Sequence, residues 1–184
     1  MKNKLKINKG FTLVEMLIAI SLFVVIAFIS IGAILSIFDA NRRAQSSKTV
    51  VDNLNLAIEN MTRTIRFGGN YYCGESSNTS QTSDCSSGGS NSISITFEGV
   101  RVIYKWDSTA KTIKRSYNGV WDDEGITSPE TKIEYLKFYI FGSSDSDDNQ
   151  PYVIAVIEGY SGNKPTAQSR FSLQTLMSQR ELDL

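Results

Sequence analysis

The rhythm of apolar positions divides the chain into three stretches. From Phe11 to Phe38 apolar residues run almost without interruption, and Glu15 is the only charge among them. After the polar passage from Asn41 to Thr49 the run gives way to a stripe. Val51, Leu54, Ile58, Met61 and Ile65 recur at spacings of three and four, which sets them on one face of a helix. No proline falls between Phe11 and Phe67, and Gly68 and Gly69 follow, residues that end helices. The pattern predicts one continuous helix, apolar all round in its first half and striped in its second. A stripe this short is too brief for a coiled coil, so the second half must lie on another element.

Beyond Gly69 the period changes to two. Ile93, Ile95 and Phe97 alternate with serine and threonine, and Val100, Val102, Tyr104 and Trp106 alternate with Arg101, Ile103 and Lys105. Both read as strands, joined tightly through Glu98 and Gly99. Thr112 to Tyr117 is a further strand, running into Asn118 and Gly119, the strongest hairpin signal in the chain. Strands are also expected at Lys132 to Phe141, with Leu136, Phe138 and Ile140 facing inward, at Tyr152 to Gly159, and at Ser169 to Met177. A helix followed by antiparallel strands is an α+β architecture, the helix packed on a sheet.

Charge sharpens the reading of the N-terminus. Lys2, Lys4, Lys6 and Lys9 precede the apolar run, and no residue from Met16 to Phe38 is charged. A helix of that length reaches roughly 35 Å, enough to cross a hydrocarbon core of about 30 Å. The lysines would stay in the cytoplasm and the C-terminal part would lie outside. A secretory signal peptide has a shorter apolar core and a small-residue cleavage site. An uncleaved signal anchor explains the length but not Glu15. A carboxylate in such a helix costs about 2.5 to 3.5 kcal/mol when central and less near the end, and it usually marks a partner.

Lys9, Gly10, Phe11, Thr12, Leu13, Val14, Glu15, Met16 and Leu17 resemble the prepilin signature of type IV pilins and type II secretion pseudopilins. The resemblance implies removal of residues 1–10 by a prepilin peptidase that cuts between Gly10 and Phe11, then N-methylation of Phe11. The cut would place an ammonium on Phe11 near the Glu15 carboxylate. In the family the glutamate of one subunit is thought to meet the N-terminus of its neighbour and set axial register, a role that depends on good geometry because both groups must be desolvated. Residues 11–38 would then be the transmembrane and filament-core helix, 39–67 an amphipathic continuation, and 68–184 an extracytoplasmic β head. The implied partners are the peptidase, other pilin or pseudopilin subunits, an inner-membrane assembly platform, and lipid before assembly. Leu54 to Phe67 and the closing Leu173 to Met177 further resemble the J-type minor pseudopilins. Gly32, the one glycine in the apolar run, is either a soft point of the kind filament pilins carry there or a site of close helix packing.

Composition narrows the chemistry. The chain has 19 basic residues, 19 acidic residues and no histidine, which removes the commonest general base and metal ligand. An anchored hydrolase therefore has little to work with, and no basic patch with interleaved aromatics points to nucleic acid. Cys73 and Cys85 stand in a Ser, Asn and Gly-rich loop from Tyr71 to Ser92. A disulfide is the simplest reading in an oxidising compartment, since a redox pair favours Cys-x-x-Cys and a metal site needs more ligands. Asp145, Asp147 and Asn149 have the spacing that opens an EF-hand calcium loop, but Gln150 replaces its glycine and Val156 its bidentate glutamate. A solvated acidic turn is the expectation there, as for Asp122, Asp123 and Glu124, and no cofactor is expected. The expected function is that of a structural minor pilin or pseudopilin, acting at a filament tip or in initiation. The alternative is a membrane-anchored adhesin whose exposed Tyr71, Tyr72, Trp106 and Trp121 recognise sugar or protein.

Overall fold

A single helix, α1, runs from Leu13 to Phe67 in the computed structural model, which describes residues 10–144, 149–162 and 168–180. It is unbroken through Gly32, where an added Cβ would meet open space. The chain forms two compact units, Met1–Arg42 and Arg43–Leu184. In the first, the large apolar side chains from Phe11 to Phe38 are 43–82 % exposed, and the helix is long and apolar enough to cross a membrane.

In the second unit, the rest of α1 lies against two antiparallel sheets. One has the order β1-β2-β3-β4-β5, built from Gly69–Cys73, Ser92–Phe97, Val100–Asp107, Thr112–Tyr117 and Val120–Trp121. The other has the order β6-β7-β8, built from Thr131–Phe141, Tyr152–Ser161 and Ser169–Ser178. The α+β expectation holds, with two sheets where one was expected. Two of the hairpins turn as their sequences require. Glu98 and Gly99 (φ 51° and 79°) and Asn118 and Gly119 (φ 50° and 84°) each form a two-residue loop with both residues at positive φ, the twist that matches the flanking strands.

One core serves both sheets. Leu54, Met61 and Ile65 of α1 pack with Ile93, Ile95 and Tyr104 of the larger sheet and with Ile133, Leu136, Phe138 and Ile157 of the smaller one. Leu136, Phe138 and Ile140 face inward as the alternation predicts. The stripe on α1 needs a correction. Its buried residues are Val50, Leu54, Ala57, Met61 and Ile65, whereas Val51 is 54 % exposed and Ile58 packs only at the margin. Both sets obey the helical period, and the true seam is turned slightly around the helix. Position 68, just after α1, requires glycine, because a Cβ there would come within 2.5 Å of Ile95 Cγ2 and 2.7 Å of the Thr64 carbonyl oxygen. Tyr71, placed among exposed aromatics on sequence, is buried, and its hydroxyl donates to the Ile65 carbonyl at 2.6 Å. A side chain thus satisfies one of the orphan carbonyls at the end of α1.

Candidate functional site

The helix begins in a reciprocal pair of bonds. Thr12 stands one residue before α1, and its hydroxyl oxygen accepts from the Glu15 N–H at 3.3 Å. Glu15 Oε2 in turn accepts from the Thr12 N–H and from the Thr12 hydroxyl, both at 3.1 Å. This is a capping box: a threonine and a glutamate three residues on satisfy donors that the first turn of a helix cannot pair internally. A carboxylate at that end also faces the positive pole of the helix. Glu15 therefore has a local role that sequence reasoning overlooked. The Thr-x-x-Glu pattern ahead of an apolar run was the available signal.

Gly10 and Phe11 precede the helix, and both are exposed. Among the described residues nothing lies within 4 Å of the position a Gly10 Cβ would take. The peptide bond between them thus lies on a non-helical flank beside the cap.

The second predicted feature, the bridge between Cys73 and Cys85, is present, with the two Cα atoms 5.7 Å apart. The surrounding segment is built into the fold on both sides. Toward the larger sheet, Ser83 N–H donates to the Tyr71 carbonyl at 2.9 Å and Cys73 N–H to the Ser83 carbonyl at 3.0 Å. Toward the smaller sheet, Ser90 and Phe138 exchange two backbone bonds of 2.8 Å, and Cys85 N–H donates to the Ile140 carbonyl at 3.2 Å. The loop therefore closes the free edge of β6, an edge that would otherwise invite pairing with another chain. Asp84 adds a clamp, its two carboxylate oxygens accepting from the Gly142 and Ser143 amides at 3.1 and 2.9 Å.

Arg101 holds the other end of the same loop. It is 3 % exposed, and its guanidinium donates to the carbonyls of Asn70, Gln81 and Ser76 and to Thr96 Oγ1 over 2.7–3.2 Å. Burial pulls this group below its ordinary pKa, with the Tyr72 charge acting in the opposite sense. Neither Asp84 nor Arg101 carries a local sequence signature, because their partners are backbone groups far away in the chain.

The remaining candidates scatter. Of the calcium residues, Asp145 and Asp147 lie outside the described residues, and only Asn149 lies within them. No cluster of three or more His, Cys, Asp or Glu able to hold a metal occurs among the described residues. Asp122 pairs with Arg115 at 3.0 Å. Trp106 is partly buried against the core, leaving Trp121, 38 % exposed, as the more accessible of the two tryptophans.

Residues 5–31 match the family model for the prokaryotic N-terminal methylation motif. Neither the curated proteins nor the solved structures provide a match to the chain. The matched residues contain the Gly10–Phe11 flank, the Thr12–Glu15 cap and the uncovered first half of α1. This N-terminal methylation motif marks structural subunits that a prepilin peptidase processes. The chain carries it on an apolar helix that continues into an antiparallel β head, an arrangement that supports a type IV pilin-like protein.

Proposed function

We propose that the chain is a minor pilin or pseudopilin, built into an extracytoplasmic filament at its tip or during initiation. In this reading the peptidase cuts between Gly10 and Phe11 and methylates Phe11, while the N-terminus faces the cytoplasm and the head lies outside. An assembly platform then lifts the subunit from the lipid into contact with sister subunits, among which this chain takes a J-type place. The reading is carried by one coincidence: residues 5–31 match the motif, and the helix they enter presents large apolar side chains that are exposed among the described residues. Lipid covers such a surface first, and neighbouring helices cover it in a filament.

The cap geometry supports a role for Glu15 in that exchange. Both Thr12 bonds fall on Oε2, which leaves Oε1 to accept from a cation such as the Phe11 ammonium of an adjacent subunit. Cutting also removes Lys2, Lys4, Lys6 and Lys9 from a chain whose basic and acidic residues balance at 19 each, giving the product a net side-chain charge of minus four. Without that cut the ammonium would sit ten residues away, on Met1.

Mass spectrometry of the protein from cells with and without the peptidase tests the reading. The expected product begins at Phe11 and carries one added methyl group, and it reverts to the full-length form when the peptidase is absent. Finding Met1 to Gly10 retained in cells that carry the enzyme would overturn it. A paired comparison separates the two roles of Glu15. Thr12→Ala weakens the cap by about 1 kcal/mol and should leave filament incorporation largely intact, whereas Glu15→Ala should abolish it.

A further inference from the structure

The head carries a cleft that the filament reading does not use. It has a volume of about 270 Å³ and is lined by Lys105, Trp106, Asp107, Ser108, Lys114 and Trp121. The register of the strands builds it. Lys105 lies opposite Lys114, and Trp121 lies opposite Ser116, two residues beyond Lys114. Residues directly opposite share a face, as do residues two apart, so both lysines and Trp121 stand on the same side of the sheet. Trp106 is fixed at the margin by its indole N–H, which donates to the Ile133 carbonyl at 3.1 Å.

The polar groups of the cleft are held in place and balanced in charge. Asp107 Oδ1 accepts from the amides of Thr109 and Ala110 at 2.9 and 3.0 Å, and Oδ2 meets Lys114 Nζ at 3.1 Å. Lys105 Nζ lies 2.7 Å from Glu75 Oε1 and 5.9 Å from the centroid of the Trp121 ring. Across from Trp121, the buried Ser116 hydroxyl has no hydrogen-bond partner among the described residues. The cleft thus combines a partly exposed indole, overlain at 5.9 Å by Lys105, with a fixed acceptor and donor side by side.

That combination selects among ligand classes. An anion would have to displace Glu75 or Asp107 to reach a lysine. A purely apolar ligand would strip water from Asp107 and Lys114 and return no hydrogen bond. A neutral sugar ring avoids both costs. Its C–H face stacks on an aromatic ring, and adjacent hydroxyls, about 3 Å apart, bridge a carboxylate acceptor and an ammonium donor. We propose that this cleft binds a neutral hexopyranose, alone or as a residue of a longer glycan. The site does not depend on filament assembly, and its failure would leave the processing result untouched.

The test uses the full chain in dodecylphosphocholine micelles, which carry no sugar headgroup. Tryptophan fluorescence and saturation-transfer NMR would be followed against glucose, galactose, mannose and N-acetylglucosamine, with glucuronic acid as the anionic control. The expected result is a saturable response to at least one neutral sugar. Affinity should fall about tenfold or more in Trp121→Ala and in Asp107→Asn, and Trp121→Phe should retain part of it. If Trp121→Ala does not fold, the other two variants decide. Three outcomes would overturn the proposal: no neutral sugar saturates the signal, the variants bind as the parent does, or only glucuronic acid binds.

Discussion

The two halves of α1 use similar side chains toward opposite ends. Between Phe11 and Phe38, leucine, isoleucine, valine and phenylalanine point outward and are 43–82 % exposed. Between Val50 and Ile65 the buried residues, Val50, Leu54, Ala57, Met61 and Ile65, form one stripe at most 5 % exposed under two sheets, and only Val51 and Leu56 among the large apolar residues there stand exposed outside it. What differs is the distribution around the helix, and it reports the medium. A helix apolar on every side is made for lipid or for other helices, whereas a striped one is made for a core with water behind it. Each large apolar side chain buried in the head contributes about 1.5–3 kcal/mol, while those of the first half contribute nothing to the folding of the isolated chain in water.

Removing one large apolar side chain from each half should give the widest separation. Met61 is fully buried between α1 and the sheets, so Met61→Ala should lower head stability by about 2–5 kcal/mol in a denaturant melt of the micelle-bound chain. Phe28 is 72 % exposed, so Phe28→Ala should leave that melt unchanged and weaken retention in membranes or filaments instead. Equal losses of head stability from the two variants would break the distinction between the halves.

The sequence disclosed this division because periodicity is a direct trace of what surrounds a helix. It disclosed less where partners are distant. Val50 and Val51 are both valines, and nothing local decides which of them lies in the seam. Strand β1 is Gly-Asn-Tyr-Tyr-Cys, too short and too loop-like to separate from its neighbours. That the strands form two sheets depends on pairing, and alternation says only that strands exist. At the N-terminus the motif was fully legible, yet the oddity of a charge in an apolar run drew attention to partners in other chains. The Thr12 to Glu15 pattern, equally visible, showed that the first partner is three residues away.

Opening the disulfide should have the next largest effect, and only in the head. Cys73 and Cys85 are separated by 12 positions, and bridging a loop of about that size stabilises by about 3 kcal/mol in the chain-entropy model. The double variant Cys73→Ser with Cys85→Ser should lose close to that amount in a melt. Hydrogen exchange adds a sharper reading, because the Phe138 amide is paired with Ser90 of the same loop. Its exchange should accelerate while amides in the first half of α1 keep their rates. An unchanged Phe138 rate would mean that Arg101 and the backbone bonds hold the edge of β6 closed without the bridge.

The smallest effect tests how charge behaves on the water-facing side of the comparison. Asp107 lies on the surface, and its carboxyl is held below the ordinary range first by the Ala110 amide, next by the Lys114 side chain and to a lesser degree by Thr109. A carboxyl depressed in the folded state stabilises the fold at pH values above its unfolded pKa, near ~3.9. The contribution is lost as the pH falls through the lower folded value. A carbon-detected NMR titration should therefore place the Asp107 midpoint below that of an unstructured aspartate, and Lys114→Met should move it back toward the ordinary value without restoring it fully. Stability of the parent and of Lys114→Met should differ little at neutral pH, because exposed pairs are well screened. A midpoint at or above the ordinary value would show that the turn from Asp107 to Ala110 does not hold the carboxylate in solution, and with it would go the fixed acceptor on which sugar recognition beside Trp121 depends.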